Sequence, residues 1–141
     1  HMTQPDFSAK MAVNCIEGAL KRASVSCVDY VNLHGTGTQA NDKMEAKAVN
    51  LTLGATFAST LKPQIGHTLG AAGAIESAIC AMLCMEENST LPPHVYDGEY
   101  DESLEAINLV KSGTKFDVKT AMSLSFAFGG DNAAIIFKRV R

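Results

Sequence analysis

Lys62 and His67 stand five residues apart in Thr60-Leu61-Lys62-Pro63-Gln64-Ile65-Gly66-His67-Thr68-Leu69-Gly70-Ala71-Ala72-Gly73, a segment that runs straight into the most apolar stretch of the chain. A lysine and a histidine at the mouth of a buried helix are costly unless something uses them, because polar groups resist burial without partners. A second histidine, His34, opens His34-Gly35-Thr36-Gly37-Thr38 at the end of a strand-like run. Two glycine-bearing loops, each carrying a histidine away from the buried end of an element, read as two halves of one site. The chemistry they offer is stabilisation of negative charge developing on a carbonyl oxygen, with His34 and His67 each donating a hydrogen bond. A helix N-terminus beside His67 favours the neutral ring as that donor. Lys62 would supply a fixed charge or orient a histidine through a carboxylate, with Glu45 the nearest candidate. The glycines let backbone approach an extended substrate, along which the Thr36 and Thr38 hydroxyls would donate or accept.

Gly35-Thr36-Gly37-Thr38-Gln39-Ala40 also fits the G-x-G-x-x-A dinucleotide pattern between a strand and a helix. That pattern wants an acid at the end of the next strand, about 20 residues on. Ala58-Ser59-Thr60-Leu61 offers none, so the donor reading is preferred.

The elements that must position these residues follow from periodicity and breakers. Thr3-Gln4-Pro5-Asp6 has the form of a helix start, and Phe7, Met11, Cys15 and Ala19, with Ile16 and Leu20, give an amphipathic helix ending near Arg22. Val28 to Leu33 reads as a strand. Asp42-Lys43-Met44-Glu45 resembles a capping box for the next helix, whose inward face would be Met44, Ala48, Val49 and Leu51 and whose end is Gly54. Thr56 to Thr60 is a short strand. The helix from Thr68 to Met85, interrupted only by Glu76 and Ser77, should be buried on nearly all sides. His94 falls in the loop Leu91 to Tyr100 and is assigned no chemistry. Ile107 to Val110 is a short strand, and Thr120 to Phe126 and Asn132 to Val140 form an antiparallel pair around Phe128-Gly129-Gly130-Asp131. Strands alternating with helices and then a closing pair make an α/β fold with a mixed sheet.

Four motifs occur in order: His34-Gly35-Thr36-Gly37-Thr38; Asp42-x-x-Glu45-Ala46; Lys62-x-x-x-Gly66-His67-x-x-Gly70-Ala71-Ala72-Gly73; and Phe126-Ala127-Phe128-Gly129-Gly130-x-Asn132. Together they resemble the C-terminal half of a β-ketoacyl-(acyl carrier protein) synthase of the fatty-acid or polyketide type. The resemblance implies a thiolase-like α/β fold of which this is the C-terminal half only, a mixed sheet with helices on its faces and a buried central helix. It implies decarboxylative Claisen condensation of malonyl thioester with an acyl group carried on a cysteine. His34 and His67 match the catalytic histidines, Lys62 the lysine of the same site, and Glu45 the carboxylate supporting it. Thr36 and Thr38 match contacts to a phosphopantetheine arm, and Phe128 a gating phenylalanine. Asp42, like Glu45, also fits a helix cap; Phe126 fits core packing; Gly129 and Gly130 fit backbone geometry. Ala127, Asp131 and Asn41 depart from the family pattern, which has glycine at the first and last of these positions.

The resemblance further implies a homodimer, an acyl carrier protein as partner, and no cofactor beyond the substrate-bearing phosphopantetheine. It puts the nucleophile in an N-terminal half: Cys15 lies mid-helix, Cys27 precedes a strand, and Cys80 and Cys84 lie deep in a helix. Residues 3–141 then form one domain that is inactive alone, with His1-Met2 the remnant of a cleaved tag. The alternative is a non-catalytic partner of the chain-length-factor kind, which retention of both histidines and Lys62 disfavours. The 141 residues carry a net charge of −3, and the one basic run is Lys138-Arg139-Val140-Arg141, which argues against nucleic acid. There is no membrane-length apolar run and no C-x-x-C pair for a metal, and free buried thiols suggest a reducing, cytoplasmic setting. Without an N-terminal half, Ile75, Ile79, Met82 and Leu83 would be bared, and the fragment is expected to self-associate through them.

Overall fold

The protein is described by a computed structural model covering residues 4–140; His1 and Met2, the expected Thr3 cap and Arg141 lie outside the described residues. Helix α1 runs Lys10–Ala23. Its start differs from the expected one because the Asp6 carboxylate takes the Ser8 N–H and hydroxyl, which makes a tight turn ahead of a left-handed Ala9. Ala12, Ile16, Ala19 and Leu20 are buried, whereas Phe7 and Met11 are exposed. The inward stripe is thus rotated from the expected one.

Strand β1 is Tyr30–Asn32, helix α2 Gln39–Leu53 and strand β2 Phe57–Ser59. Helix α2 starts at Gln39 and not near Asp42, so Asp42 lies inside its first turn and the capping box does not form. Gly54 ends it at φ 55, as expected. Leu51 faces outward, and Leu53 takes its place in the core. The loop carrying the second histidine contains the short helix α3, Lys62–Ile65, and a 3₁₀ turn, Leu69–Ala71, that feeds helix α4, Ala72–Met85.

Two-residue strands follow: β3 Ser89–Thr90, β4 Asn108–Leu109 and β5 Lys115–Phe116. The β3–β5 pair is too short to show an alternation in the sequence, and it was not expected. Strands β6 Thr120–Phe126 and β7 Asn132–Lys138 form the expected antiparallel pair, in register from Thr120↔Lys138 to Phe126↔Asn132. The main sheet has the order β4-β2-β1-β6-β7. Strands β4, β2, β1 and β6 are parallel and β7 is antiparallel, which is the mixed sheet of the sequence reading.

Each face of that sheet has its own core. On one, α1 and α2 pack Ile16, Leu20, Met44, Ala48 and Val49 against Val31, Leu33, Met122 and Leu124. On the other, Cys80, Leu83 and Cys84 of α4 meet Tyr30, Ala121, Leu91, Val110 and Val118. Two polar clamps close the structure. Asp29 Oδ2 accepts from the Lys119 and Thr120 N–H groups and the Thr120 hydroxyl, fixing β1 beside β6. The Arg139 guanidinium donates to the Cys84 and Glu86 carbonyls, a cation at the negative end of α4.

Helix α4 is not enclosed on nearly all sides in this chain. Ala72, Glu76, Cys80 and Leu83 form its buried stripe, and Ile75, Met82 and Met85 are exposed. Leu83, expected on the bared face, is in the core, and Ile79 packs against that core. No helix among the described residues is long and apolar enough to cross a membrane.

Candidate active site

The parallel strands deliver the site. His34 follows the carboxyl end of β1, Lys62 that of β2, and Phe126 closes β6. Strand β1 lies between β2 and β6, its parallel partners. In open α/β sheets the crevice outside the carboxyl ends, at a point where connections diverge, is where ligands bind. The His34 and His67 rings meet here edge to face, their centroids 5.8 Å apart at 88°. Phe126 walls the other side of His34, 6.1 Å away at 73°. Phe126 therefore packs in the core, as read, and also holds the histidine.

Burial and charge keep His34 neutral. Desolvation, and then the nearby Lys62 and His67, lower its pKa from 6.5 to about 4. A neutral imidazole at ordinary pH carries one N–H to donate and no charge to be desolvated again. His67 is exposed, just after Gly66, whose φ of 78 turns the chain out of α3.

The carboxylate beside Lys62 is Glu76, not Glu45. Lys62 Nζ donates to Glu76 Oε1 at 2.5 Å, with side chains 5% and 0% exposed. Burial raises the Glu76 pKa, and the bond to Lys62 opposes that rise. Its second oxygen and the Oδ1 of buried Asn32 have no protein partner. The signal for Glu76 was present in the sequence: a lone acid on an otherwise apolar helix must have a cation facing it. The pairing itself is not legible there, because only packing α4 onto the sheet brings Glu76 to Lys62.

Glu45 does something else. Buried, it receives the His34 N–H at 2.6 Å on one oxygen and the Gly35 N–H at 2.8 Å on the other. Helix α2 thus pins the turn that presents His34. Desolvation outweighs these bonds and raises the Glu45 pKa to about 7. Gly35 is required at that turn for two reasons. Its φ is +45, and a Cβ there would lie 2.4 Å from the Cβ of Thr60. The Thr60 hydroxyl donates to the Gly35 carbonyl and ties the two loops to each other.

The remaining expected residues are less closely held. The Thr36 and Thr38 hydroxyls bond each other at 3.1 Å. Thr38, at the N-cap of α2, makes no capping bond. Phe128 is 76% exposed, in a 3₁₀ turn made by Gly129 and Gly130 at φ 83 and 91. The preceding Ala127 has an extended backbone, so it occupies the glycine position of the family pattern without strain.

The thiols lie elsewhere. Burial raises Cys80 to about 12 and also raises Cys84 and Cys15. Cys27, contrary to the buried-thiol reading, is exposed. It precedes β1 and contacts Thr56 and Leu53, which puts it at the amino end of the strands, opposite His34. The concave region there, about 650 Å³, is lined by Cys27, Asp29, Thr56 and Phe57, and His34, Glu45, Lys62, His67 and Glu76 do not line it. Among the described residues no group of three or more His, Cys, Asp or Glu is placed to hold a metal ion.

The sequence profile described as "Beta-ketoacyl synthase, C-terminal domain" matches residues 1–96. The chain is 37% identical, over 99% of its length, to 3-oxoacyl-(acyl-carrier-protein) synthase 2 of Coxiella burnetii, of which it covers 35%. A crystal structure of a beta-ketoacyl synthase from Burkholderia phymatum superposes with a TM-score of 0.90 at 35% identity, over 100% of this chain and 35% of that one. A ketosynthase in complex with its chain length factor from Xenorhabdus doucetiae gives a TM-score of 0.90 at 37% identity, over 99% of this chain and 36% of that one. The chain thus spans about a third of the length of the relatives it matches.

Proposed function

Since the chain belongs to the β-ketoacyl synthase family, with a thiolase-like fold, we propose that it supplies the enolate-stabilising half of a 3-oxoacyl-(acyl carrier protein) synthase. The observation that carries this reading is the meeting of two imidazoles from separate loops, one of them held neutral, at the carboxyl ends of the parallel strands. The reaction is decarboxylative Claisen condensation. The C–C bond to the malonyl carboxylate breaks, carbon dioxide leaves, and the electron pair passes onto the thioester oxygen. His34 and His67 donate hydrogen bonds to that oxygen. The resulting carbanion attacks the carbonyl carbon of an acyl thioester, whose thiolate departs.

Lys62 provides fixed positive charge beside the two rings, and Glu76 holds it there. Thr36 and Thr38 contact the pantetheine arm of the carrier protein, and Phe128 gates the acyl channel. The acyl-carrying cysteine belongs to sequence outside this chain, because none of its four thiols is both reachable and near His34. The chain alone is then inactive, and the complete enzyme is a dimer served by an acyl carrier protein, needing no cofactor of its own. A chain-length-factor role fits less well, since a non-catalytic partner has no use for a lysine–glutamate pair buried beneath two converging histidines.

The test is malonyl-carrier decarboxylation by the complete protein carrying His67→Ala or His34→Ala. Each should lose about 10²–10³ in rate, the usual effect of one missing oxyanion donor, while acyl loading persists. Decarboxylation at the unmutated rate would overturn the reading.

A further inference from the structure

Asn41, which departs from the family pattern, stands immediately before Asp42, the first residue of the second motif. It lies in the first turns of α2 and is buried. It stands four positions before Glu45, so both project from one face of the helix. Its Nδ2 donates to Glu45 Oε2 at 3.1 Å and to Asp42 Oδ1 at 3.3 Å. Glu45 Oε2 is also the oxygen that takes the Gly35 N–H, and Oε1 takes the His34 N–H.

We propose that Asn41 is a positioning residue for His34: its amide holds Glu45 as the carboxylate that anchors both N–H groups of the His34–Gly35 turn. Three donors converge on one buried acid. A carboxylate receives all three as an acceptor, whereas a protonated acid carries a hydrogen that must face one of them. Protonation therefore loosens the turn, and the side-chain amide is the donor of the three that a substitution can remove. The surroundings make that donor matter. Burial and the neighbouring Asp42 charge both favour the protonated form, and among the described residues no cation acts on Glu45 to oppose them. Lys62 and His67 bear instead on the His34 ring from the other loop.

That a displaced His34 impairs catalysis rests on the condensing-enzyme reading; the bonding does not, and the experiment separates them. In the ¹⁵N-labelled chain, the His34 and Gly35 amide resonances are followed against pH. In the parent they should titrate together, with a midpoint near the Glu45 pKa of about 7. Asn41→Ala should raise the midpoint by about one pH unit or more, the tenfold change that loss of a charge-assisted hydrogen bond brings. The β6 and β7 amides report whether the fold is intact. Where Asn41→Ala does not fold, Asn41→Asp keeps the shape, and its repulsion should raise the midpoint further. An unmoved midpoint in a folded variant would overturn the proposal. Failure of the complete protein, with Asn41 unchanged, to decarboxylate malonyl thioester would overturn the catalytic reading and leave the titration standing.

Discussion

The two faces of the sheet are built from different materials. Beneath α1 and α2, the strands present Val31, Leu33, Ala58, Met122 and Leu124, an apolar surface closed by the apolar faces of two amphipathic helices. Beneath α4, Tyr30 and Ala121 start the same way, but the row above them is polar. Asn32 lies in register with Ser59 on one side and Ser123 on the other, and all three are buried. The Tyr30 hydroxyl bonds Ser59, and Lys62 and Glu76 close over that end of the sheet. One face is a core that stabilises; the other gives up apolar contact near the carboxyl ends of the strands to hold charge. Buried ion pairs gain little net stability over well-packed apolar side chains. The contrast teaches that the α4 face is shaped by its chemistry and the α1/α2 face by its packing.

The strongest test of that contrast is to break the pair from one side. Glu76→Ala leaves Lys62 as an unpaired buried cation and should cost about 3–5 kcal/mol. Replacing both partners, Lys62→Met with Glu76→Leu, should recover most of that loss in urea unfolding. If the double variant is no more stable than the single, the pair is structural after all and the comparison fails.

The exposed side of α4 comes next in size. Ile75 and Met82, seven residues apart, share the face turned from the sheet. Apolar side chains of this kind gain about 1.5–3 kcal/mol each when covered. The isolated chain should therefore self-associate at micromolar concentration, and Met82→Glu should shift it toward monomer by light scattering. A parent chain that stays monomeric would show that this face needs no cover.

On the apolar side, Ile16→Val should cost about 0.5–1.5 kcal/mol and leave the His34 and His67 ring resonances unmoved. Displacement of those resonances would mean that the packing face also sets the site.

The smallest expected effect is a cancellation. The His34 pKa is depressed to about 4, so the unfolded chain binds more protons below 6.5, and this contribution to stability is lost as pH falls toward 4. The Glu45 pKa is raised to about 7, so its contribution is present below 4.5 and lost as pH rises through 7. Between about 4.5 and 6.5 the two slopes oppose, and these groups give the parent little pH dependence there. Glu45→Gln should uncover the His34 slope, with the urea midpoint falling as the solution is acidified. An unchanged profile would show that the two groups do not act as assigned.

Much of this was legible in the chain. The strand-to-loop runs ending at His34 and at Thr60, the β6–β7 pair and the Gly54 stop are local: alternation, breakers and caps act between near neighbours. So was the presence of two histidine loops, because their motifs are contiguous. The α1 stripe is set by which residues pack on the sheet, and α2 starts ahead of the acid that looked like its cap. Neither is visible in a periodicity. Partner choice was decided by the tertiary structure alone. The motif resemblance pointed Lys62 to Glu45, although Glu76 is the nearer of the two acids along the chain. Packing α4 against β1 and β6 instead set Glu76 against Lys62, and left Glu45 to the amides of the His34 turn. An ion pair is fixed by separation in space, and in water-poor surroundings a charge takes the partner that folding leaves within reach. The residue types were written in the chain; which of them touch was settled when the helices closed on the sheet.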